Sequence, residues 1–240
     1  FFEELNIPKP SINLNSSGDS QAKQTGSIMI GFEKELELNP ADLVIVVGDV
    51  NSTLACSIVA KKMNVKVAHI EGGIRSFDLS MPEEINRMVT DSISDYFFTT
   101  SKTAKDNLME SGIAQERIFF VGNIMIDTLY ANSGKLKMPE LFKQLRLKNK
   151  GYIVLTMHRP ANVDESEKLT AFLDVLIKNS QGIPIIFPVH PRTAKALRKA
   201  DFNGSNISFV EPMGYLEFNY LLKYSKAVIT DSGGITEEAT

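Results

Sequence analysis

One cysteine in 240 residues, Cys56, cannot close an internal disulfide. In the run STLACSIVA it reads as a small hydrophobe on an apolar helix face. There is no excess of positive charge: 26 Lys and Arg stand against 29 Asp and Glu, for a net −3. Without a basic stripe, nucleic acid is not an expected partner. No apolar run approaches the ~18 residues that span a bilayer, and no signal peptide opens the chain. The expectation is a cytoplasmic protein with no membrane partner. There is neither a GxGxxG nor a GxxxxGK[ST] string, which argues against a Rossmann dehydrogenase and a P-loop NTPase. The three histidines, His69, His158 and His190, lack HxxxH or HxH partners, so no metal site is expected.

What is present is ordinary globular material, 43% hydrophobic and 23% charged, enough for one large domain or two modest ones. The chain opens on FFEEL without an initiator Met and closes on GGITEEAT, the first turns of a helix with no stop signal. Both ends therefore read as cuts in a longer protein.

Apolar, β-branched runs alternate with helical patterns. The strand candidates are Leu43–Val47, Val65–Ile70, Tyr96–Thr100, Ile118–Val121, Tyr152–Met157, Ile183–Val189, Ile207–Val210 and Ala227–Thr230. Helical patterns cover Gln21–Leu38, Thr53–Asn64, Pro82–Ser94, Thr103–Ser111, Met125–Leu147, Glu165–Asn179, Thr193–Ala200 and Tyr215–Tyr224. Near-continuous apolar strands mark a parallel sheet covered on both faces. Strict alternation implies right-handed βαβ units. The fold class is α/β, with two doubly wound Rossmann-like lobes. Residues 1–125 form the first lobe, lacking its first strand. Residues 126–150 form a connecting helix or linker, and residues 151–240 an incomplete second lobe.

Ligands of open α/β sheets bind beyond the carboxyl ends of the strands, so the residues just past each strand are a test for function. Those residues are Gly48-Asp49, Glu71-Gly72-Gly73, Gly122-Asn123, His158-Arg159, His190-Pro191-Arg192 and Asp231-Ser232-Gly233-Gly234. Helix capping explains Asp49 or Asp231 taken singly. It does not explain Glu71 and two His-containing turns, so Arg159 and His190 join the candidate binding residues. The stretch HIEGGIRSFDLSMPEEINR, residues 69–87, is the densest of these. It sets Glu71 at a strand end and Glu83 and Glu84 at a helix start, an arrangement suited to acid/base chemistry on a bound sugar or phosphate. For Glu84 alone the favoured reading is dipole complementation in the first helical turn. In DSGGITEE the glycine pair lets backbone amides approach a phosphate at the start of a helix. A glutamate one turn on could hold sugar hydroxyls.

These strings, with GDVNST and FVGNxxID, resemble the non-hydrolysing UDP-N-acetylglucosamine 2-epimerases over essentially the whole chain. The resemblance implies the two-lobed glycosyltransferase-B-type fold, with the nucleotide sugar held between lobes. It implies interconversion of UDP-GlcNAc and UDP-ManNAc for polysaccharide synthesis, without a bound cofactor, by a homodimer. Asp49, Glu71 and Glu83 match the family's active-site carboxylates, and His158 its active-site histidine near the diphosphate. Arg87 matches a basic residue near the substrate. Ser232, Gly233 and Gly234 match the phosphate-binding loop, Glu238 the acid that holds the ribose, and Phe218 an aromatic beside the uracil. The chain departs from the family pattern at Gly72, Ala161 and Thr236, and in the His190-Pro191-Arg192 turn. Two cleft segments of the family, a GTRPE-type turn and an RxxTERPE string, are absent. The implied chemistry is elimination of UDP to 2-acetamidoglucal and re-addition from the opposite face. That reaction needs a base, an acid and stabilisation of the departing diphosphate.

Overall fold

A computed structural model describes residues 4–239, apart from 159, 164, 190–192, 194–196, 198–201 and 203. The chain divides into two compact units, Pro10–Ile124 and a second made of Phe1–Lys9 with Met125–Thr240. Each is built on a four-stranded, wholly parallel sheet.

In the first unit the elements run α1 (Gln21–Leu38), β1 (Leu43–Val47), α2 (Asn51–Lys62), β2 (Lys66–Ile70), α3 (Pro82–Ile93), β3 (Tyr96–Thr99), α4 (Lys102–Glu110) and β4 (Ile118–Phe120), with the strands in sequence order. The helix starts come from local chemistry. Ser20 and Ser101 accept from the backbone N–H three residues on, capping α1 and α4. Pro82, with φ already fixed, opens α3, and Glu83 and Glu84 complement its positive end. Leu36, Val44, Val46, Ala60 and Val67 form one buried cluster, and Phe97, Leu108 and Ile118 another. β1 alternates rather than being covered on both faces. Val44 and Val46 are buried, while Leu43, Ile45 and Val47 are 41–59% exposed.

The second unit runs α5 (Ile124–Asn132), α6 (Glu140–Gln144), β5 (Ile153–Thr156), α7 (Pro160–Val163), α8 (Ser166–Asn179), β6 (Ile185–Pro188), β7 (Ile207–Val210), α9 (Tyr215–Tyr224), β8 (Ala227–Thr230) and α10 (Gly233–Glu238), with strand order β7-β6-β5-β8. Its sheet is covered on both faces. Ile153, Leu155, Ile185 and Phe187 pack with Leu169 and Leu173 of α8, whereas the alternate residues Val154 and Ile186 pack with Tyr152, Leu221 and Leu222. That is the doubly wound arrangement the apolar strands predict. The single helix expected over Met125–Leu147 is instead broken. α5 ends at Asn132, a 3-10 turn covers Ser133–Lys135, and α6 starts after Pro139. Gly134 is a poor helix former, and Pro139 both lacks an N–H and drives its predecessor out of the helical region. The helix expected at Thr193–Ala200 lies mostly outside the described residues.

Leu173 is wholly buried between α8 and the sheet. Leu173→Ala is expected to cost about 3 kcal/mol of stability through lost burial and the cavity left behind. Urea unfolding followed by circular dichroism measures it.

Candidate functional site

The site residues of the first unit lie where β1 and β2 end. Parallel pairing of Val47 with Ile70 sets the next residues of both strands side by side. Gly48 turns the chain at φ 67°, and its N–H donates to the Ile70 carbonyl at 3.0 Å. Asp49 comes next. Glu71 leaves β2 at φ 69°, a left-handed conformation uncommon for a residue with a side chain. Its Oε2 stands 3.7 Å from where a Cβ on Gly48 would be, so the Glu71 carboxylate lies over the Gly48-Asp49 turn.

Helix α3 closes this rim with an unusual inner face. Its buried residues are Glu84, Asn86, Thr90 and Asp91, all polar. The Glu84 carboxylate is enclosed and accepts from the Ser76 N–H at 2.9 Å, the Ser76 hydroxyl at 3.1 Å and the Phe77 N–H at 3.2 Å. Arg87 bridges two acids, Glu84 at 2.8 Å and Asp49 at 2.5 Å. Burial works against the charge of Glu84, but the hydrogen bonds from Ser76, Arg87 and Phe77 outweigh it and hold its carboxyl below the usual carboxylate range. Burial likewise opposes the Arg87 charge, and the bonds to Glu84 and Asp49 outweigh that, raising its pKa above the ordinary guanidinium value. Asn86 donates to the Asp49 carbonyl at 2.8 Å. With Asn86, Asn51, Gln21 and Gln24, Glu83 lines an open, polar pocket of about 240 Å³.

In the second unit the rim residues come from β5 and β8, which are adjacent, with Thr156 level with Thr230. The chain order reverses at this pair, the point where a crevice opens beyond the strands. Asp231 accepts the His158 N–H with both oxygens at 3.1 Å, and His158 Nδ1 lies 2.7 Å from Asp231 Oδ1. Asn162 donates to Asp231 Oδ2 at 2.8 Å. An Nδ1–H held by a carboxylate leaves Nε2 as the nitrogen open to a ligand, and the His158 side chain is 60% exposed. Ser232 is the N-cap residue of α10 and Gly233 and Gly234 are its first two residues, and a Cβ at Gly233 would meet nothing within 4 Å, so this helix start is open. At the far end of α10 the Tyr215 hydroxyl donates to Glu238 Oε1 at 2.9 Å. Burial first, and then the neighbouring Glu238 charge, push the Tyr215 hydroxyl up to about 12. Phe218 packs into the cluster of Tyr152, Val154 and Leu221.

Asp49, Glu71, Glu83 and Arg87 thus share one rim, and His158, Ser232, Gly233 and Gly234 belong to the end of the other sheet, while Glu238 stands apart from them at the far end of α10, in a pocket with Lys150 and Lys223. Arg159 and His190 lie outside the described residues. Sequence reasoning missed the buried work of Glu84 and Asp91 and the partners Asp231 and Asn162. The signal for the first pair was the spacing of Glu84, Arg87 and Asp91, which places three ionisable groups on one helix face. Among the described residues no group of three or more His, Cys, Asp or Glu is arranged to hold a metal ion, and no helix is long and apolar enough to cross a membrane.

The family model described as UDP-N-acetylglucosamine 2-epimerase matches residues 1–240. The UDP-N-acetylglucosamine 2-epimerase of Methanocaldococcus jannaschii is 42% identical over 252 residues, covering 100% of this chain and 68% of that protein. The crystal structure of the M. jannaschii UDP-GlcNAc 2-epimerase in complex with UDP-GlcNAc and UDP superposes with a TM-score of 0.84 at 41% identity, over 99% of this chain and 68% of that one. An S. aureus MnaA–UDP structure reaches a TM-score of 0.88 at 28% identity, over 99% of this chain and 64% of that one.

A lowered carboxyl pKa in the fold means that Glu84 contributes stability above its unfolded pKa of about 4.3, lost as pH falls through the folded value. Glu84→Gln, which leaves Arg87 without one buried partner, is expected to cost about 3 kcal/mol at pH 7. The gap from the parent narrows on acidification, as denaturant unfolding at several pH values reads directly.

Proposed function

The chain belongs to the UDP-N-acetylglucosamine 2-epimerase family, and from that premise we propose that its protein converts UDP-GlcNAc to UDP-ManNAc without hydrolysis, by eliminating UDP and adding it back to a 2-acetamidoglucal. The observation that carries this reading is the first-unit rim, where Glu71 lies over the turn that presents Asp49. The C2 proton of the sugar is very weakly acidic. Removing it demands carboxylates held in place against both faces of one carbon, with the developing charge drained onto a leaving group.

The roles come from the chemistry of each group. Asp49, Glu71 and Glu83 are the acid/base set for C2. Arg87 fixes Asp49 from behind through a bridge anchored on Glu84. His158, oriented by Asp231, offers Nε2 to the diphosphate, and the open Ser232-Gly233-Gly234 turn offers backbone amides to the same group. Glu238, held by Tyr215, accepts from the ribose hydroxyls. Phe218, on α9, is assigned to the uracil end of the nucleotide, and Arg159 and His190 remain candidate substrate-binding residues by their sequence positions alone. The protein works as a homodimer in the cytoplasm and needs neither metal nor cofactor.

The test is incubation of the protein, expressed from its complete reading frame, with UDP-GlcNAc in D2O, monitored by proton NMR. UDP-ManNAc carrying deuterium at C2 is the expected product. Free ManNAc with UDP places the protein among hydrolysing epimerases. A bound but undeuterated and unchanged sugar removes epimerisation altogether. Glu83→Gln is expected to lower turnover by about 10²-fold, the usual worth of a positioned proton-transfer group. Near-normal turnover takes Glu83 out of the acid/base set.

A further inference from the structure

His69 is the one histidine of the chain that the proposed chemistry does not use, and it is wholly buried. It sits on β2 two residues before Glu71. Both of its ring nitrogens are engaged. Nε2 lies 2.8 Å from the Gly48 carbonyl and Nδ1 2.7 Å from Asp91 Oδ1. The carbonyl can only accept. The other oxygen of Asp91 already receives the Gly73 N–H at 3.1 Å and faces Arg75 NH1 at 2.6 Å, as an ionised carboxylate would. Nε2 is therefore the donor to the Gly48 carbonyl, while Nδ1 is held against the Asp91 carboxylate. One side chain from the middle strand links the turn after β1 to helix α3, and the same Asp91 pins the turn after β2 through Gly73.

The space around this link is filled. A Cβ on Gly72 would stand 3.3 Å from Asp91 Oδ1 and 3.4 Å from His69 Nδ1, and a Cβ on Gly73 would collide with the Ala104 carbonyl at 2.2 Å. Gly48 and Gly73 both take positive φ, 67° and 83°, with Glu71 at 69° between them in the fold. Turns in that region of φ hold their geometry only where the surroundings fix them.

We propose that His69 is a positioning residue. By tying the Gly48 carbonyl to Asp91 and Arg75, it fixes the backbone that aims Asp49 and Glu71. The kinetic part of this inference rests on the epimerase reading. The structural part does not. The peptide carbonyl that His69 holds belongs to the residue immediately before Asp49, so loosening it swings Asp49 against Arg87 and moves the Gly48 turn beneath Glu71. A displacement of about 1 Å at such groups costs about 10²-fold in rate.

Two isosteric substitutions divide the link. His69→Asn keeps an amide N–H where Nδ1 meets Asp91 but does not reach Gly48. His69→Gln reaches Gly48 and gives up Asp91. Asp91→Asn loosens the network from the other end should either variant fold poorly. Each is compared with the parent full-length protein by kcat and KM for UDP-GlcNAc, by UDP affinity, by thermal unfolding and by amide hydrogen exchange. The expected result for His69→Asn is a kcat lower by about 10²-fold with KM and UDP affinity within about twofold. The Gly48 and Glu71 amides, bonded to Ile70 and Phe98 in the parent, exchange measurably faster while the rest of the unit keeps its protection. His69→Gln recovers part of the kcat. Unchanged exchange at these two amides overturns the inference, as does a loss of protection spread evenly over the unit with kcat, KM and Tm moving together. If the parent protein does not epimerise UDP-GlcNAc, the functional reading fails, and the exchange measurement alone still decides the role of His69.

Discussion

The inner face of α3 (Pro82–Ile93) is polar, and the first-unit rim depends on it. A helix packed on a sheet ordinarily turns a stripe of aliphatic side chains inward. Here Glu84, Asn86 and Asp91 are buried instead, and each ends on the backbone of a different turn: Glu84 on the 76–77 loop, Asn86 on the Asp49 carbonyl, Asp91 on Gly73. Buried ion pairs are weak evidence for stability, because desolvation offsets most of their attraction. Their geometry is a better guide to why they are there. Arg87 joins Glu84 and Asp49 at 2.8 and 2.5 Å, so the rotamer of a rim carboxylate is set by a group that is itself locked. An aliphatic face would hold α3 at least as firmly but could not specify where Asp49 points.

The second unit reaches a similar end by topology. Strands β5 and β8 are far apart in sequence yet adjacent in the sheet, with Thr156 level with Thr230. Two residues beyond one and one residue beyond the other stand His158 and Asp231. The Asp231 carboxylate receives the His158 backbone N–H as well as its ring, so turn and imidazole are fixed by one acceptor. A histidine pinned through Nδ1 presents a defined nitrogen to an anion, with little rotamer freedom left to lose on binding. Glu238 is likewise held, by the Tyr215 hydroxyl one helix away. The same N-terminal end of α9 (Tyr215–Tyr224) is capped by Glu4, whose oxygens accept the Tyr215 and Leu216 N–H groups at 3.1 and 3.0 Å.

The alternation of apolar strands with helical patterns made the α/β class and the strands legible, because strands of a covered parallel sheet need near-continuous Val, Ile and Phe, although β1, equally apolar, is covered on one face only. The rim was legible too: Asp49, Glu71, His158 and Ser232 each stand just past the end of a strand, where a ligand of such a sheet binds. The break at Gly134 and Pro139 was not, since the helical pattern was carried across two helix breakers. Nor were the partners. Asp91 is 22 residues from His69 and Asp231 is 73 from His158, and no local pattern pairs residues across such gaps. On sequence position alone Glu84 complements the dipole of α3. Its three hydrogen bonds from a loop seven and eight residues upstream arise from tertiary packing that spacing alone does not encode.

Glu71 shows how closely strain and chemistry are joined at this rim. A left-handed backbone costs a residue with a Cβ roughly 1–2 kcal/mol, and glycine at position 71 would avoid that cost. Two of the neighbours that adopt positive φ, Gly48 and Gly73, are glycines, and at Gly73 the Ala104 carbonyl leaves no room for anything larger. Position 71 alone among the three carries a side chain. The left-handed turn sends that side chain back across β1, where its Oε2 lies over Gly48, instead of onward along the strand axis. The strain is held by the backbone bond from Glu71 to Phe98 at 2.9 Å and by the Asp91 clamp two residues on. A strained, well-anchored carboxylate beside a second one is the pattern expected where orientation matters more than stability. It sets the order of dependence at the rim: buried helix face, then turns, then carboxylates.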